Sequence, residues 1–179
     1  MRMEDAKITL VGKGTKIFIT IWAVLLVFGC QTISFDPRGR TVAEAQRITI
    51  PESGERVGVY NTEDLTLAYR MVRSPGQLNI SGEIHFSDRL AENFPIVRYF
   101  HLDAILVDAR GKVLEMTGLT STAYFRTQYA TPSDFAVTFK TPVAAGENVQ
   151  AVAFSYTGKA FDINTSDGSF MDFWEYPIY

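Results

Sequence analysis

Between residues 65 and 86 the chain alternates apolar and polar residues in two successive runs, and this period of two constrains the fold more than any other feature. In Leu78-Asn79-Ile80-Ser81-Gly82-Glu83-Ile84-His85-Phe86, the apolar Leu78, Ile80, Ile84 and Phe86 fall on one side of an extended chain. Asn79, Ser81, Glu83 and His85 fall on the other. Successive side chains of a strand point to opposite faces, so the run predicts a strand with one face in a core and the other in water. Leu65, Leu67, Tyr69 and Met71 repeat the pattern with Thr66 and Arg70 opposite, and Phe135, Val137 and Phe139 repeat it with Thr138 and Lys140.

Other segments fit the same class. Residues 99–107 (YFHLDAILV) are apolar at most positions, which suits a central strand covered on both faces. Asp108-Ala109-Arg110-Gly111-Lys112 then supplies a turn, with Gly111 available for a positive φ, before Val113-Leu114-Glu115-Met116 completes a hairpin. Residues 149–156 (VQAVAFSY) read as a buried strand after the Ala145-Gly146-Glu147-Asn148 turn. Residues 57–60 and 170–174 read as short strands, and residues 47–50 as an edge strand or the end of a linker. Residues 88–94 (DRLAENF) alone look helical, and Pro95 stops them after about two turns. About eight or nine strands with turn signals between them and no long amphipathic helix predict an all-β fold: an antiparallel β-sandwich, immunoglobulin-like or similar, with at most one short helix.

With 46% hydrophobic and 13% aromatic residues in 179, the chain can fill a core for one such domain. Residues 1–29 hold four basic and two acidic residues; the remainder carries 13 basic and 18 acidic side chains, a net −5. Displacing counterions from phosphates needs clustered positive charge, so nucleic acid is not an expected partner.

The leader carries the one family resemblance. Four basic residues lie in residues 1–16, and residues 17–28 (IFITIWAVLLVF) contain no charge, the order of a secretory signal. As a helix the uncharged run would reach about 18 Å, against ~30 Å for the hydrocarbon of a bilayer, which disfavours a permanent span. Val27-Phe28-Gly29-Cys30 follows, and Cys30 is the only cysteine. This resembles the lipobox of bacterial lipoproteins, with an aliphatic residue three before the cysteine and a small one just before it. The resemblance implies cleavage after Gly29, a diacylglyceryl group on the Cys30 thiol, and in many cells a further acyl chain such as palmitate on the new amino group. Two or three chains make anchoring stable where one is marginal. Gln31 stands where an aspartate would favour inner-membrane retention, so the resemblance implies the outer membrane, on its periplasmic side or surface. An uncleaved signal anchor with Cys30 inside its helix is the alternative. Three parts follow: residues 1–29 a signal peptide, 30–46 a lipidated N-terminus and polar tether with a turn of helix near residues 42–46, and 47–179 the sandwich.

Candidate sites are few. Only His85 and His101 exist, both in predicted strands; His85 shares a face with Glu83, and His101 with Asp103. A solvated sheet face accounts for the first pair and a local hydrogen bond for the second, so no catalytic residue, metal site or cofactor is expected. No nucleophile elbow, phosphate loop, dinucleotide fingerprint or C-x-x-C pair is present. Asp162-Ile163-Asn164-Thr165-Ser166-Asp167-Gly168 superficially resembles a calcium loop, but Asp167 stands where the glycine belongs and Phe173 where the bidentate glutamate belongs. A polar hairpin loop is the better account. Eight aromatic residues crowd into residues 154–179. If residues 170–174 form a strand, Phe170 and Trp174 point one way with Asp172 between them, and Met171 and Phe173 the other. Core packing accounts for most of the cluster, while Trp174 and Tyr176 are the candidates for exposure and ligand binding because Pro177 ends pairing beyond them. The expected function is a non-enzymatic envelope lipoprotein that binds or scaffolds another envelope component, a protein or a glycan. The alternatives are a glycan-binding module using Trp174 and Tyr176, and a hydrolase should His101 meet a serine in a pocket.

Overall fold

The computed structural model describes residues 36–94, 96–126, 137–161 and 169–179. The leader with Cys30, the 162–168 loop and Phe135 lie outside them. Among the described residues nine strands, one short helix and one 3-10 turn make an all-β fold of two packed antiparallel sheets, residues 37–179 forming one compact unit.

The alternating runs build the first sheet. Strand β2 (Glu55–Asn61) pairs with β3 (Leu65–Ser74), β3 with β4 (Gln77–Phe86), and β4 with β7 (Val137–Ala144). The β3–β4 hairpin needs only Pro75 and Gly76 between its paired ends Ser74 and Gln77, because Gly76 adopts φ +71°. Leu65, Leu67, Tyr69 and Met71 of β3 and Leu78, Ile80 and Ile84 of β4 are buried on the same inner face, as the alternation predicts.

A six-residue helix α1 (Asp88–Asn93) crosses to the second sheet and buries Leu90. There β5 (Ile96–Val107) lies between β6 (Val113–Arg126) and β8 (Ala151–Phe161). The outer edge of β8 is shared: β1 (Ile48–Thr49) pairs with its first residues, Ala151 and Val152, and β9 (Phe170–Glu175) with Tyr156 to Phe161. Phe100, Leu102, Leu106, Phe154, Tyr156 and Phe173 face the first sheet and complete the core. Each large apolar side chain taken fully from water there stabilises the fold by about 1.5–3 kcal/mol.

Beta 5 is apolar at consecutive positions because its other face is covered too. Ile105 and Val107 point outward and join Val113, Ala151, Ala153, Val42 and Ile178 in a second apolar cluster. Its lid comes from both ends of the domain. The Val42 N–H bonds Gly111 O at 2.9 Å, the Ala43 N–H bonds Pro177 O at 2.9 Å, and Thr41 and Tyr179 exchange backbone bonds. The compact unit therefore reaches further toward the N-terminus than the polar composition of residues 31–46 suggests. Val42 is wholly buried, and a single 3-10 turn, Glu44–Gln46, links it to β1. Likewise Pro177 ends pairing with β8 but not pairing altogether, since its carbonyl and Ile178 bond the 41–43 segment instead. Gly111, at φ +82°, makes the hairpin turn and leaves room for the Arg47 guanidinium, whose Nε and Nη2 bond Val42 O.

Candidate functional site

The half of the second sheet's outer face that the lid leaves open is set by strand register. Thr157 of β8 stands between His101 of β5 and Trp174 of β9, and Lys159 stands between Tyr99 and Asp172. Phe170 lies opposite Phe161 at the far end. Odd-numbered residues of β8 point outward, and even-numbered ones point into the core. That places Phe173, the outward Trp174's neighbour, against Gly158, where a Cβ would fall inside its ring. Gly158 thus fixes which side of β9 is buried: Phe173 is 2% exposed, while Trp174 is 65% and Phe170 55% exposed. Tyr99 and Tyr176 are also open, at 41% and 39%.

The polar groups of this face are engaged with one another. His101 Nε2 lies 2.9 Å from Asp103 Oδ1, and Lys159 Nζ lies 3.2 Å from Asp172 Oδ1 and 5.4 Å from the centre of the Phe170 ring. Burial pushes the Asp103 carboxyl above the ordinary aspartate range, while the charge of His101 and its hydrogen bond pull it back. Burial also raises the Tyr176 hydroxyl, with the charge of Arg40 opposing that shift and that of Asp103 adding to it. Ser155 donates to Glu175 O at 2.9 Å, fixing the end of β9 beneath Tyr176.

Flat aromatic faces among paired polar groups suit stacking and interfacial contact. Acyl transfer asks for a nucleophile bonded to its base. Ser121 is the cross-strand neighbour of His101, yet among the described residues no hydrogen bond joins them, and the ring is bonded to Asp103. A cavity of about 460 Å³ lies elsewhere, lined by Asp108, Arg110, Leu114, Glu147, Asn148 and Gln150 at the turn end of β5 and β6. His85 and Glu83 do meet, Nε2 to Oε1 at 2.7 Å, on the outer face of the first sheet. No group of three metal-ligating side chains is found among the described residues. Nor is any described helix long and apolar enough to cross a membrane.

One buried charge escaped the reading of the sequence. Asp64, 6% exposed in the β2–β3 turn, receives Arg89 Nη2 at 2.6 Å on one oxygen and the Tyr156 hydroxyl at 3.0 Å on the other. Thr62 Oγ1 lies 2.8 Å from the same hydroxyl. Burial raises the Tyr156 phenol, which stays a proton donor. The cluster joins a turn of the first sheet to a strand of the second and is fully engaged in that role.

No protein-family model, no curated protein and no solved structure matches the chain.

Proposed function

We propose that this is an envelope lipoprotein, held by acyl chains on Cys30 to the outer membrane, whose sandwich acts without catalysis by binding or scaffolding another component of the envelope. The observation that carries the binding role is the open half of the second sheet. Trp174, Phe170, Tyr99 and Tyr176 stand exposed there, while its charged groups are paired at short distance. Rings of this size dominate interface energetics, and an exposed cluster of them marks a contact surface. Affinity capture of the intact protein extracted from membranes tests it, with Trp174→Ala as the comparison. A stoichiometric envelope component, whether protein, glycan or co-extracted lipid, that is lost from the variant supports the reading; identical capture of all three by both proteins contradicts it. For the anchor, Cys30→Ser should release or mislocalise the domain, and unchanged processing and location would refute lipidation.

A second reading, a glycan-binding module, rests on Trp174 beside Thr157 and near Asp172 on one flat face. Sugar rings stack on such an indole while a carboxylate and a hydroxyl take their hydroxyl groups. This reading predicts affinity for cell-wall or surface glycans that disappears in Trp174→Ala without unfolding.

A further inference from the structure

The exposed aromatic residues of the described chain are one-sided. Besides Val57 and Val59 on β2, the large apolar side chains open to water are Tyr99, Phe170, Trp174, Tyr176 and Tyr179. The first three project from the outer face of the second sheet, Tyr176 follows β9 directly, and Tyr179 is bonded to Thr41 in the lid of the same face. The outer face of the first sheet carries those two valines with Arg70, Glu83, His85 and Lys140, and among the described residues no exposed aromatic ring. The chain also enters the domain on the aromatic side: the Gly39 N–H bonds Val113 O at 2.9 Å, and Val42 is buried in the outer cluster.

Pro37 stands seven residue steps after Cys30. Fully extended they reach at most about 25 Å. Four neighbouring strands, β6, β5, β8 and β9, are about 15 Å across at ~4.8 Å per spacing. The face is longer along the strands: Ile96, level with Phe161 and Phe170, stands eleven residues along β5 from Val107, about 36 Å at ~3.3 Å each. A lipid on Cys30 therefore holds the entry end of the face, beside Val113, at the surface that carries the lipid, and from there the face can lie flat on it.

We infer that this face docks on the lipid bilayer itself, the aromatic rings lying at headgroup depth. The inference rests on the lipoprotein reading and names the component that the binding face meets. Tyrosine and tryptophan prefer that depth because the ring is apolar and its O–H or N–H stays hydrated. Lys159 is matched with Asp172 and His101 with Asp103, so contact strands none of these four groups. The protein is then held twice, by acyl chains and by a face, and the first sheet is turned toward the aqueous side.

The chain has two tryptophans, Trp22 and Trp174, and cleavage before Cys30 leaves Trp174 alone. The natural protein thus carries its own probe. Mature, lipidated protein is reconstituted into phosphatidylcholine and phosphatidylglycerol vesicles whose acyl chains are brominated. The protein should float with the vesicles, Trp174 emission should shift to the blue and lose most of its intensity, and aqueous iodide should have little effect. Val59→Trp in a Trp174→Phe background places the probe on the first sheet, where bromolipid should leave it bright and iodide should quench it. Flotation with Trp174 indifferent to bromolipid overturns the docking inference alone, whether the indole is then open to iodide or shielded by a soluble glycan in place of lipid. Failure to float, or a mature mass that still begins at Met1, overturns the lipoprotein reading and this inference with it.

Discussion

Replacing Asp64 by Ala should be among the most destabilising polar substitutions in this domain, and the structure allows the cost to be divided. The side chain is almost wholly buried and accepts from Tyr156 inside the protein and from Arg89 at its margin. Arg89 is half exposed and regains water when its partner goes, so its share is that of a surface pair, about 0–1 kcal/mol. The Tyr156 hydroxyl is buried and loses a charged acceptor, a bond of about 1.5–3 kcal/mol, though Thr62 remains beside it. The total is about 1.5–4 kcal/mol, which for a chain of this size lowers Tm on the order of 10 °C. Tyr156→Phe should cost about 1.5–3 kcal/mol alone. Because both variants remove the same bond, the double variant should fall short of their sum by more than ~1 kcal/mol. Urea unfolding followed by far-ultraviolet circular dichroism measures all three, with an unchanged m-value as the sign that the unfolded state is not altered. A loss below ~0.5 kcal/mol for Asp64→Ala, or strict additivity, would refute the claim that this carboxylate ties the two sheets together.

The lid predicts that Val42→Ala destabilises the domain by about 1.5 kcal/mol for its two methyl groups, plus any cavity, whereas a substitution in a free tether leaves Tm unchanged. Along β9, Phe173→Ala should cost about 3–5 kcal/mol and Trp174→Ala less than ~0.5, as measured by thermal unfolding; equal costs would mean that the strand's faces are assigned the wrong way round. Asp108 accepts the backbone N–H groups of Lys112 and Arg110, and the Lys112 bond leads in holding its carboxyl below the ordinary range. A depressed carboxyl contributes stability that is present above its unfolded value and is lost as pH falls through the folded one. Wild type should therefore be more stable than Asp108→Ala at neutral pH and converge with it in strong acid. Parallel Tm-against-pH curves would contradict this.

How far the fold was legible depended on how many faces of each strand are buried. Beta 3 and β4 each bury one face, so Leu65 to Met71 and Leu78 to Phe86 alternate plainly. Beta 5 buries both faces over its second half, and the continuous run ending in Ala104-Ile105-Leu106-Val107 reflects that. For β6 the sequence predicts only Val113 to Met116, yet the strand runs to Arg126. Its continuation, Thr117-Gly118-Leu119-Thr120-Ser121, lies at a sheet edge, and the register shift opposite Leu102 and Asp103 breaks the alternation. Beta 8 likewise starts two residues later and continues five residues further than its apolar run, through Gly158, because the ring of Phe173 supplies the apolar surface that glycine lacks.

The candidate face was partly legible for the same reason. Alternation separated Phe173 from Phe170 and Trp174, and the turn away from β8 marked Tyr176. Tyr99 was hidden inside an apolar run, although the chain bulges at Arg98 and turns its ring to solvent. Asp64 gave no local signal, since its partners stand 25 and 92 residues away. Val42 was missed because a lone valine in a polar stretch has no period to betray the groove that receives it.

The anchor bears most directly on what the molecule does, and the intact mass of the natural protein's N-terminus tests it. The account predicts a first residue of Cys30 carrying the added mass of two or three fatty acyl chains. A chain beginning at Met1 with an unmodified thiol would contradict it.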